Sequence, residues 1–303
     1  MSKTKTILFR TDSSSSIGTG HIMRDLVLAG QYNNAKIIFA TQDLQGNINH
    51  KILEAGYRIS LLKTNSLKEF INVVKRYRAN LVIIDNYSID FIYEKKLKEQ
   101  TDVKILAFDD TYEKHYCDIL LNHNIGANEK RYKELVPKFC ELRCGSNYTL
   151  LRDEFYQDFP QKTETKDVHI LVAMGGVDSK NLNIQITNIL KEFTAITVHI
   201  VTTTANRNLA KLKEYVSNNT NIILHINTSH IAKLMHLSNF AIITPSVTLN
   251  EVHFMKLPFI AIKTEQNQED IYKYLQKNDF FTLEKFDKKK LSVLIKKQME
   301  QLS

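Results

Sequence analysis

Short apolar runs punctuate the chain: "TILFR" (6–10), "KIIFA" (36–40), "RISLL" (58–62), "NLVIID" (80–85) and "VKILAF" (103–108). Each is too short for a globular helix, rich in isoleucine and valine, and followed by a longer amphipathic segment. The segment "SLKEFINVVKRYR" (66–78) shows the contrast, with Leu67, Phe70, Ile71 and Val74 on one helical face. Ser66 and Glu69 stand at capping-box spacing, which predicts that the helix start satisfies two backbone N–H groups reciprocally.

The alternation lapses at "QDFPQKTETKD" (157–167), which is polar, contains proline and has no periodicity. It then resumes with "VHILVAM" (168–174), "ITVHIVTT" (196–203), "NIILHI" (221–226), "FAIIT" (240–244) and "PFIAI" (258–262). No sequence repeat is evident, yet the same architecture is written twice. Strands buried on both faces between helices imply parallel, doubly wound sheets. The expected fold is therefore α/β, with two Rossmann-like domains, 1–157 and 167–303, facing across a cleft. Ligands of such sheets bind beyond the carboxyl ends of the strands, so the functional loops are expected there.

Composition narrows the setting. With 43% apolar and 24% charged residues the chain reads as a globular protein, and no apolar run reaches the length of a membrane span. The start, "MSKTKTILFR", is too short in apolar residues for a signal peptide. Three cysteines, Cys117, Cys140 and Cys144, make neither an even disulfide framework nor a paired zinc pattern, so a reducing cytoplasm is expected. The net charge of +8 owes much to "KKKLSVLIKKQ" (288–298), where Leu291, Leu294 and Ile295 recur at helical spacing. That reads as an amphipathic helix with a solvated lysine face. No recognition motif or aromatic platform accompanies the charge, which excludes a nucleic-acid role; stable membrane insertion is not expected, although a basic helix of this kind can rest on anionic lipid.

Candidate chemistry follows the strands. After the first, "SSSSIGTGHIMRD" (13–25) places Gly18 and Gly20 where the backbone can turn tightly and approach a ligand, with His21 opening a helix. The stretch is neither a P-loop nor a dinucleotide fingerprint. His21 is either an exposed first-turn residue or a base suited to neutral pH. In "MGGVDSKN" (174–181), Gly175 and Gly176 precede a helix whose positive end suits a diphosphate. In "TPSVTLNEV" (244–252), Ser246 or Thr248 could cap a helix that carries Glu251 near the cleft. Glu251 either accepts both hydroxyls of a ribose or merely complements the helix dipole. Asp85, Asn86 and Tyr87 end one strand, and Asp109 and Asp110 end another, with His115 nearby. Adjacent aspartates on extended chain point opposite ways, so no metal site is expected. The remaining histidines read mostly as surface or strand residues.

Several of these motifs occur together, in order, in one family. "FRTDSSSSIGTGHIMRDLVLA" (9–29), "FDDTYEKHYCDILLN" (108–122), "CGSNYTLLRDEF" (144–155), "MGGVDSKN", "SVTLNEV" (246–252) and "QNQ" (266–268) resemble the UDP-2,4-diacetamido-2,4,6-trideoxy-β-L-altropyranose hydrolases of pseudaminic acid biosynthesis, the PseG family. The resemblance runs from near the N-terminus to about residue 278. It implies a GT-B fold like that of MurG, with UDP held mainly by the C-terminal domain. It also implies metal-independent, cofactor-free hydrolysis at the anomeric carbon with inversion and release of UDP. On the same ground His21 matches the catalytic histidine, and Tyr87 and Asn267 match residues near the sugar and the attacking water. Arg152, Gly175, Gly176, Ser246 and Glu251 match or lie in nucleotide-binding segments. Where the family often has Asp-His-Tyr, this chain has Asp85-Asn86-Tyr87, and no role carries over to Asn86. The pathway implied is one that serves flagellin or capsule glycosylation; no protein partner can be named. Two other readings remain open on the sequence: a glycosyltransferase using a UDP-sugar donor, and a non-catalytic UDP-sugar-binding protein.

Overall fold

The structure, a computed structural model, describes residues 4–162 and 167–302. The polar stretch at 157–167 includes residues 163–166, which lie outside the described residues. The chain divides into two compact units, Met1–Leu150 and Leu151–Ser303.

The first unit runs β1 (Lys5–Thr11), α1 (Gly20–Gly30), β2 (Ala35–Gln42), α2 (Asn49–Glu54), β3 (Arg58–Leu62), α3 (Leu67–Tyr77), β4 (Leu81–Asp85), α4 (Phe91–Thr101), β5 (Lys104–Phe108), β6 (Ile119–Asn122) and β7 (Glu141–Cys144). Its sheet has the order β3-β2-β1-β4-β5-β6-β7, with every pair parallel. The five strands expected from the apolar runs all form. β6 and β7 are additional, and the segments leading into them hold only turns and a short 3-10 helix.

The second unit repeats the plan: β8 (Val168–Ala173), α5 (Leu182–Leu190), β9 (Ile196–Thr202), α6 (Leu209–Ser217), β10 (Ile222–Ile226), α7 (Ile231–Leu237), β11 (Phe240–Ile243), α8 (Val247–Phe254), β12 (Phe259–Ile262), α9 (Glu269–Lys277), β13 (Phe281–Leu283) and α10 (Lys288–Glu300). Its order is β10-β9-β8-β11-β12-β13, again all parallel. In each sheet the order reverses between the first and fourth strands of the unit. Those two switch points, β1/β4 and β8/β11, are where crossovers leave on opposite faces and a crevice opens at the strand ends.

Both faces of each sheet are covered. α3 sends Phe70, Ile71, Val73 and Val74 into a core with Leu8, Val82 and Ile105, and each such side chain contributes about 1.5–3 kcal/mol on burial. Ile7, Phe9 and Phe39 fill the other face with Ile22 and Leu28 of α1. The lysine-rich α10 buries Leu291 and Ile295 against β8 and β9 residues, with Leu294 packed alongside. The capping box at α3 is only half made. Ser66 Oγ accepts the Glu69 N–H, but the Glu69 carboxylate takes the N–H groups of Lys63 and Thr64, fixing the approach to the helix instead of closing the box.

Candidate active site

The β1/β4 switch point brings the ends of the two strands together, with Thr11 in register with Asp85. At the end of β1, buried Arg10 pairs at 2.8 Å with Asp12 just beyond the strand. Asp12 also accepts the Gln42 N–H at 2.7 Å and an Asn86 amide N–H at 2.8 Å. The serine run is spent on the loop's own shape. Ser13 Oγ accepts the Ile48 N–H, and Ser14 Oγ accepts those of Ser16 and Ile17. Ser14 and Gly18 exchange backbone hydrogen bonds, a closure that puts Gly18 at φ 89°, a conformation side chains disfavour. Gly20, by contrast, is simply the first residue of α1.

That closed loop delivers His21 on the first turn of α1, only 8% exposed rather than solvated. Its Nδ1 lies 2.7 Å from Asp85 Oδ1 at the end of β4. Asp85 is also gripped by Arg24, one turn along α1, which donates from Nε to Oδ2 at 2.6 Å and from Nη2 to Oδ1 at 2.5 Å. Burial works against the Asp85 charge, but Arg24 and then His21 overcome it and hold the carboxyl below its ordinary pKa. Arg24 rests on the Phe108 ring and reaches Asp110 Oδ2 with Nη1 at 3.2 Å. Tyr87 donates its hydroxyl to Asp110 Oδ1 at 2.8 Å and meets the His21 ring edge to face, with centroids 4.9 Å apart. His21 and Tyr87, separate in the sequence, thus stand side by side.

Sequence reasoning passed over Asp85 as an orienting group, Arg24 entirely, and His123. The last is buried near Arg24, and its pKa falls to about 3 through burial first and that cation second. His169, His199 and His225 are strand residues as expected, joined in a row by two 3.1 Å nitrogen contacts. Asp109 and Asp110 face different partners. Asp109 takes the N–H groups of Thr111 and Glu113, while Asp110 takes Arg24 and Tyr87. Among the described residues no group of three or more histidine, cysteine, aspartate or glutamate side chains could hold a metal ion.

In the second unit the β8/β11 switch point gathers the other candidates. Gly175 turns the chain at φ 79°, and the Gly176 carbonyl accepts from Thr202 and Thr203. The start of α5 is occupied differently from the expectation: Asp178 takes the N–H groups of Leu182 at 2.8 Å and Asn183 at 3.0 Å. A carboxylate of the chain itself therefore sits where an anion was expected. Ser246 holds the N-cap position of α8 without a side-chain capping bond, and Thr248 lies inside the helix. Glu251 is buried and accepts from Arg152 Nη2 at 2.8 Å, while Arg152 Nη1 is 2.8 Å from Glu154. Burial pushes the Glu251 carboxyl pKa up, and Arg152 pulls against it. One guanidinium donor leaves acceptor capacity on a carboxylate for hydroxyl groups. Exposed Asn267 rides on a 3-10 turn, Gln266–Gln268. Its buried neighbour Gln268, which sequence reasoning missed, ties that turn to the end of β11 by accepting from Thr244, Thr264 and Glu265.

No protein-family model matches the chain. It is 44% identical over 274 residues to the UDP-2,4-diacetamido-2,4,6-trideoxy-β-L-altropyranose hydrolase of Campylobacter jejuni, covering 90% of this chain and 97% of that one. The chain belongs to this hydrolase family. Among solved structures it resembles MurG of Acinetobacter baumannii, with a TM-score of 0.63 at 12% identity over 97% of this chain and 91% of that one. It also resembles the spinosyn rhamnosyltransferase SpnG complexed with thymidine diphosphate, with a TM-score of 0.67 at 11% identity over 98% and 92% of the two chains. The fold of this family member is thus the GT-B glycosyltransferase fold, built from two Rossmann-like units. Among the described residues no helix is long and apolar enough to cross a membrane.

Proposed function

We propose that His21 is the general base of a UDP-sugar hydrolase, and that Asp85 fixes the form in which it works. The supporting observation is the 2.7 Å contact between His21 Nδ1 and the Asp85 carboxylate. With Nδ1–H donated to Asp85, the lone pair sits on Nε2. That nitrogen takes a proton from water as the water oxygen bonds to the anomeric carbon. The bond from that carbon to the diphosphate oxygen breaks, UDP leaves with the electron pair, and configuration inverts. Asp85 steadies the imidazolium that forms, the arrangement a carboxylate behind a histidine provides.

The substrate class follows from family membership: a UDP-linked 2,4-diacetamido-2,4,6-trideoxy sugar of the L-altro series. Tyr87, against the His21 ring, lines the sugar pocket, and Asn267 orients the water or the sugar. Gly18 closes the loop that presents His21, and Gly20, opening α1, leaves the backbone beside His21 without a Cβ toward a ligand. In the second unit the Gly175–Gly176 turn and the start of α8 at Ser246 and Thr248 lie at the strand ends where a nucleotide diphosphate binds in sheets of this kind. Glu251, steadied by Arg152, takes the ribose hydroxyls. Because Asp178 caps α5, the diphosphate draws on the α8 end and the glycine turn more than on α5. A cytoplasmic location suits a nucleotide-sugar substrate.

The deciding experiment is a proton NMR time course of the purified protein with the UDP-sugar in acceptor-free, metal-free buffer. Release of UDP and free sugar, inverted anomer first, carries the reading. Survival of the substrate until an alcohol acceptor is added would replace it with a transferase, and survival under all conditions with a binding protein.

A further inference from the structure

Tyr87 is 53% exposed on the turn after β4, where a tyrosine would ordinarily sample several rotamers. Here it is fixed from three sides. Its ring meets His21 at 86°. Its hydroxyl is bound by Asp110 at 2.8 Å. Its backbone is held by Asn86, whose Oδ1 accepts the Ser88 N–H at 2.9 Å and whose Nδ2 donates to buried Asp12 at 2.8 Å. Asp110 is in turn held by Arg24, the side chain that grips Asp85.

A guanidinium is a rigid fork with five donors. From this one fork two arms branch: Asp85 to His21, and Asp110 to Tyr87. The arms rejoin where the two rings touch, so the circuit closes on itself. We propose that Asp110 is a positioning residue for the hydrolysis, holding Tyr87 against His21 through the Arg24 fork. The inference rests on the general-base reading of His21. Asp110 acts through Tyr87 and touches no reacting atom in this arrangement. Its position after β5, beside Asp109 with its separate partners, explains why two adjacent aspartates occur there. One builds the turn, and the other reaches across to the neighbouring strand end.

The test is a double-substitution cycle on full-length protein with the UDP-sugar. Asp110→Ala is expected to lower kcat about ten- to hundredfold, the range of a lost hydrogen bond to a charged group, with a smaller change in KM. Tyr87→Phe, which removes only the hydroxyl, is expected to do much the same. The double variant should be no worse than the poorer single, because both break one interaction. Asp110→Asn, which keeps an oxygen for the tyrosine but sets an amide N–H group against Arg24, should fall between the wild type and Asp110→Ala. Losses that multiply in the double variant would overturn the proposal. So would an Asp110→Asn loss equal to that of Asp110→Ala, which would assign the effect to charge alone. A structural readout separates this from failure of the hydrolase reading. The nuclear Overhauser contact between the Tyr87 and His21 rings should be present in the wild type and in Asp110→Asn and lost in Asp110→Ala, whether or not the wild type releases UDP. Its persistence in Asp110→Ala would overturn the inference independently of turnover.

Discussion

Asp85 and His21 meet at 2.7 Å because the closed loop after β1 starts α1 beside the end of β4. The carboxylate is buried, doubly bonded by Arg24, and unable to leave the imidazole without abandoning that cation. Substituting His21 by alanine should therefore lower kcat about 10²–10⁴-fold, the usual worth of a positioned base. UDP affinity, measured by calorimetry, should stay within a few-fold of the wild type. A large loss of affinity with turnover preserved would move His21 from the reaction to binding.

Asp85→Asn should lose at least about 10²-fold in kcat. An amide nitrogen facing the ring would reverse the tautomer, and an amide oxygen would leave the imidazolium without a counter-charge. Nitrogen-15 NMR of the histidine ring checks the first arm directly, by showing which nitrogen carries the proton in each protein.

The two glycines of the His21 loop should behave differently. Gly18 lies at φ 89°, where a Cβ costs about 1–2 kcal/mol, whereas Gly20 is the first residue of α1 and has no positive φ. Gly18→Ala should lower the denaturation midpoint, and Gly20→Ala should leave it unchanged or slightly raised. If KM nonetheless rises in Gly20→Ala, a ligand approaches that backbone closely; an unchanged KM would assign Gly20 to the helix start alone.

Asp25, one turn beyond His21 on α1, carries a pH signature. It is fully buried, and burial followed by the Asp85 charge raises its pKa well above the ordinary value, against the opposing pull of Arg24 and Thr11. A carboxyl raised in the native state binds its proton more tightly when folded. Its contribution is complete below the ordinary carboxyl range and is lost as pH rises from there through the raised value. Asp25→Asn mimics the neutral form, so its stability relative to the wild type should grow with pH over that window. Parallel stability curves for the two proteins would show that Asp25 does not titrate in this way.

The fold was legible because ten strands are written as short apolar runs that alternate with amphipathic segments. β6, β7 and β13 escaped notice for a physical reason: they are three or four residues long, and β7 and β13, at the sheet edges, bury little. The site was legible only in part. His21 stands beside a glycine pair and Tyr87 at a strand end, both visible in the sequence. Arg24 and Asp85, however, are 61 positions apart, and only the β1–β4 register brings them together. Asp178 lies unremarked inside "MGGVDSKN", because a glycine turn before a helix looks the same in local sequence whether a bound anion or a side chain of the chain itself takes the helix N–H groups.

Arg152 and Glu251, 99 positions apart, offer the sharpest test of the nucleotide site. The Arg152 side chain is a quarter exposed and the Glu251 side chain nearly buried, so the pair contributes less to stability than a fully buried one. Its larger effect should be on charge. Burial already raises the Glu251 pKa, and Arg152 is the cation that opposes the shift. Arg152→Ala should raise it further, so that Glu251 holds its proton to higher pH than in the wild type. A protonated carboxyl is a poorer acceptor for two ribose hydroxyls. UDP affinity in Arg152→Ala should therefore rise as pH climbs above the ordinary carboxyl range, on the unfavourable side of the wild type throughout. Glu251→Gln should abolish that dependence and leave kcat at saturating substrate nearly unchanged. A UDP affinity in Arg152→Ala equal to the wild type at every pH would remove both residues from the ribose site.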